Sequence, residues 1–335
     1  MFTVSLCVVA YNEQELIGNL LDDFLGQTYP KNLTEIVLVD SMSTDRTPEI
    51  FAEFKKKHVG EYKRIIIAEN QRKKQATGWN TAIRLSSGDI IMRIDAHAEI
   101  PPDFAENNVK HHEEGEMVTG GARPNIIDGS TPWKQTLLMA ESSVFGSSAA
   151  DFRRNGQKRY VKSLFHGAYR REVFEKAGLF NETLGRTEDN EMHYRIRQAG
   201  YKICLCPDII SYQHTRSSLP KMLKQKYSNG YWVGRTEKIC PGCLSLYHLV
   251  PFVFFVGIIA AVLLGLVSWV FPALFFGCYF AAAIVMTVSA IKSEKKFHVF
   301  YLTLPVLFFL LHLFYGVGTA VGFISLLTNP VKKKK

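Results

Sequence analysis

Charge is scarce in the last third of the chain. From Leu244 to Leu327 the sequence is almost wholly apolar, broken by one charged patch, Lys292-Ser293-Glu294-Lys295-Lys296. Three runs, Leu246–Trp269, Phe271–Ile291 and His298–Leu327, reach the roughly 20 residues that a helix needs to cross a bilayer. A domain this small has no room to hide three such runs, which argues against a wholly soluble protein. A Gly-x-Gly-x-x-Gly turn is missing after the first apolar run. With it goes a dinucleotide-binding dehydrogenase, whose pyrophosphate needs close backbone approach at that turn. No Walker Gly-Lys-Ser/Thr is present either, so a phosphate ligand has to be held by a metal and side chains. The run Met1–Ala10 lacks the basic region and cleavage site of an export signal, and it reads as a first strand. The segment up to about residue 243 is therefore expected to stay in the cytoplasm.

The 335 residues carry a formal charge of +9 and are 47% hydrophobic. The positive balance has a ready partner in the anionic inner leaflet, and no nucleic acid is expected. Six cysteines are expected to be reduced thiols in a cytoplasmic domain. Cys240-Pro-Gly-Cys243 has metal-ligand spacing, but only Cys204-x-Cys206 could complete a four-sulfur set, and it fits known spacings poorly.

Strands and helices alternate through the first hundred residues. Thr3–Ala10, Glu35–Val39, Ile65–Ala68 and Asp89–Ile94 read as strands, and Glu15–Leu25, Thr47–Lys57 and Lys74–Leu85 as helices with one apolar face. That alternation predicts an α/β fold: a mostly parallel, Rossmann-like sheet with helices on both faces. Right-handed crossovers place the strand-end loops Tyr11–Glu13, Asp40–Asp45 and Asp95–His97 along one edge, where they form an acidic cleft. Asp95 and His97, one residue apart, point to the same side. Oxygen and imidazole together suit manganese or magnesium. Leu219, Met222, Leu223, Tyr227 and Tyr231 share a helical face, as in a helix lying flat among headgroups.

Val8-Val9-Ala10-Tyr11-Asn12-Glu13, Val39-Asp40-Ser41-Met42-Ser43-Thr44-Asp45, Arg93-Ile94-Asp95-Ala96-His97 and Glu188-Asp189 occur in an order that resembles the family 2 glycosyltransferases of the GT-A fold. The likeness is strongest to membrane-anchored bacterial enzymes of exopolysaccharide synthesis, including the succinoglycan type. It implies an inverting hexosyltransferase that moves a sugar from a UDP-sugar to a lipid-linked, polyprenyl-diphosphate saccharide at the inner membrane. Tyr11, Glu13, Asp40 and Asp45 become nucleotide contacts; an aromatic ring can stack on uracil and a carboxylate can accept its N3–H. Asp95 and His97 occupy the family's Asp-x-Asp metal motif, with His in place of the second Asp. His214 is similar to a late histidine that helps bind the metal or diphosphate, and Arg216 beside it becomes a diphosphate contact. Asp189 becomes the general base, and crowding with Glu188 and Glu191 is expected to raise at least one carboxyl pKa. Gln225 and Trp232 stand where processive synthases carry Gln-x-x-Arg-Trp; the Arg-Trp is absent, so they are acceptor contacts without a claim to long-chain polymerisation. His166-Gly167-Ala168-Tyr169-Arg170 resembles the segment leading to the acceptor, and Gly120-Gly121-Ala122-Arg123-Pro124 either lines the sugar pocket or keeps the fold.

The resulting layout is a catalytic domain over 1–216, an amphipathic interfacial segment over 217–243 and about three membrane helices over 244–330. The last apolar segment, with Pro305, Gly316, Gly318 and Gly322, either spans or bends back as a re-entrant hairpin. Two other readings stand beside the first: a polyprenyl-phosphate monosaccharide transferase, and a membrane-anchored sugar-nucleotide-binding subunit without catalysis. Donor sugar, linkage and oligomeric state are not legible.

Overall fold

The computed structural model describes residues 1–127, 129, 131–146, 156–215, 218–292, 294 and 296–328. In chain order the elements are β1 (Val4–Ala10), α1 (Ile17–Leu25), β2 (Thr34–Asp40), α2 (Thr47–His58), β3 (Arg64–Glu69), α3 (Gln75–Leu85), β4 (Ile90–Asp95), β5 (Ala98–Glu99), α4 (Phe104–Glu113), β6 (Val118–Ala122), β7 (Asn125–Ile126) and α5 (Pro132–Ser142). They continue with β8 (Arg159–Tyr160), β9 (Ala168–Arg170), α6 (Arg171–Ala177), α7 (Glu188–Gln198), β10 (Cys204–Ile210), β11 (Tyr212–His214), α8 (Leu219–Ile239), α9 (Val250–Gly265), α10 (Val270–Lys292) and α11 (Leu304–Thr328). Two compact units emerge: residues 1–124 with 154–213, and residues 125–153 with 214–335.

The first unit is built on an eight-stranded sheet of order β3-β2-β1-β4-β9-β6-β10-β8. The strands β3, β2, β1 and β4 run parallel, as their alternation with helices requires. Antiparallel β9 is inserted between β4 and β6, so the sheet is mixed. Alternate residues explain the two covered faces. Leu6, Val8, Ile36, Leu38, Met92 and Ile94 pack with Ile17, Leu20 and Phe24 of α1, Phe51 of α2 and Phe104 of α4 in one core. On the opposite face α3 sits so close that a Cβ on Gly78 would come within 2.5 Å of Val9 Cγ1. Gly121 on β6 is equally constrained, since a Cβ there would overlap the Ile209 carbonyl of β10. That position keeps the fold.

In the second unit α10 and the segment Val299–Thr328 ending in α11 are long and apolar enough to cross a membrane. The third apolar helix, α9, has 16 residues and spans only about 24 Å, short of a bilayer's hydrocarbon core. No re-entrant hairpin forms among the described residues: α11 is one uninterrupted helix of 25 residues. Its glycines serve packing instead of bending. A Cβ on Gly318 or Gly322 would lie 2.2 Å from the carbonyl oxygens of Tyr227 and Tyr231 on α8, and one on Gly230 of α8 would lie 2.0 Å from the Tyr315 carbonyl. Small residues facing one another let two backbones approach to this degree. Part of the apolar stripe expected to face headgroups is covered: Met222, Leu219 and Leu223 pack with Leu304, Leu307, Phe308 and Leu311, while Tyr227 stays exposed. Within this packing Lys226 Nζ donates to Glu141 Oε1 of α5 at 2.7 Å, both side chains being buried.

Candidate functional site

Register fixes the edge on which chemistry can occur. Ala10 pairs with Asp40 and Val9 with Asp95, so these carboxylates leave the sheet on either side of the end of β1. The loops after β1 and β2 are sewn together. The Asn12 amide donates to Ser43 Oγ at 2.9 Å, and Asn12 Oδ1 accepts from the Thr44 amide at 2.8 Å. The Glu13 amide donates to Thr47 Oγ1 at 3.0 Å. Asn12 and Met42 stand at φ 54° and 61°, in the left-handed region that non-glycine residues occupy only where surrounding structure holds them. Asp40 is nearly buried and accepts from the Ser43 amide at 3.1 Å. Tyr11 is 52% exposed and presents its ring to solvent just beyond the end of β1. Asp45 differs. Its Oδ1 accepts from Thr47 N and Oγ1 at 3.0 and 2.6 Å, and its Oδ2 from the Gln14 amide at 3.1 Å. Asp45 thereby ties the two loops together.

Beside these loops lies a charge cluster centred on Arg93. In β4, Ile90, Met92 and Ile94 point into the core, so Arg93 and Asp95 share the other face. The Arg93 guanidinium is buried over Trp79, 4.6 Å from the ring centre, and near Phe180 at 5.4 Å. Its Nη1 donates to Asp189 Oδ1, and its Nη2 lies 3.9 Å from both Asp95 Oδ1 and Glu188 Oε1. One buried cation thus faces three carboxylates from β4 and α7. Asp189 meets Arg93 through Oδ1 alone, which leaves Oδ2 available. Thr187, immediately before α7, stands at φ 67°, a strained setting for a β-branched residue. The three acidic residues of the first turn divide their tasks. Glu191 is taken by Arg195, with contacts of 2.8 and 2.9 Å. Glu188 is buried, and burial pushes its carboxyl up against the pull of Arg93. Desolvation, more than mutual repulsion, is the source of the expected rise. At Asp95 burial works in the same direction, yet His166, Arg93 and His97 together hold its carboxyl well below the usual range.

The two histidines near Asp95 are held differently. His97 Nδ1 lies 3.2 Å from Glu13 Oε1, and its Nε2 accepts from Gln213 Nε2 at 3.0 Å. Both ring nitrogens are engaged in this arrangement, so a metal at His97 would have to displace Gln213 from Nε2. His166 is buried, with Nδ1 2.8 Å from Ser211 Oγ and Nε2 3.7 Å from Asp95 Oδ2. Among the described residues no group of three or more His, Cys, Asp and Glu side chains forms a self-sufficient cage for a metal ion. A divalent cation that takes its remaining ligands from phosphate and water needs only one or two protein groups, and ionised Asp95 in its deep setting fits that demand. His214, Gln225 and Trp232 belong to the second unit, His214 on β11 and the others on α8. Arg216 lies outside the described residues.

Arg93 and Gln213 were missed by sequence reasoning. The signal for Arg93 was available: a single arginine in the apolar strand Ile90–Ile94 must be buried with compensating charge. Gln213 left no such trace.

The family model for glycosyl transferase family 2 matches residues 5–178. Across 96% of this chain and 97% of the relative, the sequence is 26% identical to a dolichyl N-acetyl-alpha-D-glucosaminyl phosphate 3-beta-D-2,3-diacetamido-2,3-dideoxy-beta-D-glucuronosyltransferase of Methanococcus voltae. It is 27% identical to the succinoglycan biosynthesis protein ExoA of Rhizobium meliloti, over 80% of each chain. Among solved structures, a mannosyltransferase from Pyrobaculum calidifontis in complex with GDP-Man and Mn2+ superposes with a TM-score of 0.61 at 21% identity, covering 96% of this chain and 87% of that one. That likeness speaks for the fold. With the motifs falling on one edge of a mixed α/β sheet, the chain belongs to glycosyl transferase family 2 and is a hexosyltransferase of the GT-A fold.

Proposed function

We propose that the protein transfers a hexose from a UDP-sugar to a hydroxyl of a lipid-linked saccharide, with inversion at the anomeric carbon. The observation that carries this reading is the single sheet edge to which Asp40, Asp95 and Asp189 are brought within one unit. Tyr11 offers its exposed ring to the uracil and Asp40 accepts from the base. Glu13 keeps one carboxylate oxygen for the nucleotide while the other holds His97. Arg93 fixes Asp189 through Oδ1, which leaves Oδ2 to take the proton of the attacking hydroxyl. The sugar–phosphate bond then breaks on the face opposite the attack, which inverts configuration. A divalent cation at Asp95, manganese or magnesium, supplies charge compensation for the departing diphosphate. Arg216 and His214 are further diphosphate contacts on this reading, and Gln225 and Trp232 meet the acceptor.

The acceptor class draws support from the relatives: one is named for a dolichyl-phosphate-linked sugar substrate and another for succinoglycan biosynthesis. The apolar helices α10 and α11 suit an enzyme that works where such lipids lie. The test is a panel of UDP-sugars offered to the full chain in detergent, with and without manganese, against a short-chain polyprenyl-linked saccharide and against bare polyprenyl phosphate. Transfer to the saccharide with inverted anomeric coupling by NMR is the expected result. Transfer to bare polyprenyl phosphate alone would replace the acceptor assignment. Release of UDP from no donor under any condition would remove the donor assignment.

A further inference from the structure

His166 has a geometry that its place in the acceptor segment does not explain. It is buried and stands at φ 44°, in the left-handed region. Such backbone persists where the surroundings over-determine it, and it clusters at ligand-binding sites. One nitrogen of the ring is spoken for, Nδ1 with Ser211 Oγ at 2.8 Å. The other, Nε2, is buried with no hydrogen-bond partner among the described residues. It stands in a long ion-pair contact with Asp95 Oδ2 at 3.7 Å, too far for a hydrogen bond. A histidine that binds a metal through one nitrogen has its ring fixed by a bond at the other. Buried polar atoms without partners are rare enough to need a cause, and a role in holding an ion is one such cause.

Resting on the glycosyl-transfer reading, we infer that His166 Nε2 and Asp95 Oδ2 are the protein ligands of the divalent cation that meets the donor diphosphate. His97 is then a brace between Glu13 and Gln213, joining the nucleotide loop to β11. The assignment moves the imidazole ligand from the motif's second position to a residue about seventy positions later in the sequence. Imidazole beside a carboxylate favours manganese over magnesium.

Pulsed electron paramagnetic resonance of the full chain in detergent, loaded with Mn2+ and UDP, reads imidazole coordination directly through coupling to ligand nitrogen. The wild type is expected to show that coupling, His97→Ala to keep it and His166→Ala to lose it. If His166→Ala does not fold, Ser211→Ala frees the ring without removing it and is expected to weaken Mn2+ binding by about 10-fold. Coupling that survives in His166→Ala, or that vanishes in His97→Ala, overturns the assignment. So does its absence from the wild type, or an unchanged Mn2+ affinity in Ser211→Ala. UDP bound without nitrogen coupling would reject the ligand and leave the transfer reading standing. A wild type that binds neither UDP nor any UDP-sugar would reject both.

Discussion

Arg93 is the residue on which the site turns. A buried guanidinium can face three carboxylates because its donors are spread in a rigid fork, with one Nη on Asp189 and the other beside Asp95 and Glu188. Lysine keeps the charge and loses the fork. Arg93→Lys is therefore expected to lower the transfer rate by roughly 100-fold or more while the protein stays folded, since a general base contributes about that much. Steady-state rates alongside a melting curve check it, and near-normal turnover would show that Asp189 needs no such clasp. Breaking the cluster outright with Arg93→Met should cost on the order of 3–5 kcal/mol, because it strands buried charge. A second residue-scale prediction concerns pH. Burial pushes the His112 and His193 imidazoles down to about 4 and about 3, with Arg170 and His111 adding to the effect at His112 and Arg93 and Arg197 at His193. The ordinary value is 6.5, so between that and the folded value the unfolded chain binds more protons. Their contribution is whole above about pH 6.5 and drains away as pH falls toward the folded values, on the order of 3–5 kcal/mol for each. Melting temperature against pH should slope downward from 6.5 toward 4, and the slope should soften in His112→Gln.

Elements were more legible than contacts. The strands through β4 and the helices α1 to α3 are placed to within two residues by apolar pattern, because the helices bury one face, the central strands are short apolar runs buried on both, and polar turns close them. The insertion of β9 was not legible. It is three residues long and antiparallel, and nothing local marks a strand that enters from a long excursion. The role of α8 was also hidden. Its apolar stripe reads the same whether the covering is lipid or another helix, and only the facing glycines of α8 and α11 reveal the close packing of this pair. Gly322→Leu is expected to force these helices apart and lower the melting temperature in detergent by several degrees. Gly277, where an added Cβ would meet nothing within 4 Å, is the control, and Gly277→Ala should leave the melt unchanged. Equal effects at both positions would mean that the close approach is not what stabilises the pair. The Lys226–Glu141 pair belongs to the same layer. Glu141→Gln alone should destabilise, and adding Lys226→Met should recover most of the loss.

At the scale of the whole molecule, a mixed sheet gathers acidic groups from distant parts of the sequence, and a separate apolar helical unit suits a lipid-borne substrate. The order of the motifs was enough to indicate the family and the sheet edge at which their loops meet. The partner of each polar side chain was not, since His97 and His166 differ only in what the fold places beside them. The central claim is that Asp189 removes a proton and plays no part in holding the nucleotide. Asp189→Asn, with UDP affinity and sugar transfer measured on the same preparation, tests it most directly. The account predicts UDP binding within a few-fold of wild type and transfer reduced by ~100- to 10,000-fold. Undiminished transfer in that variant would contradict it.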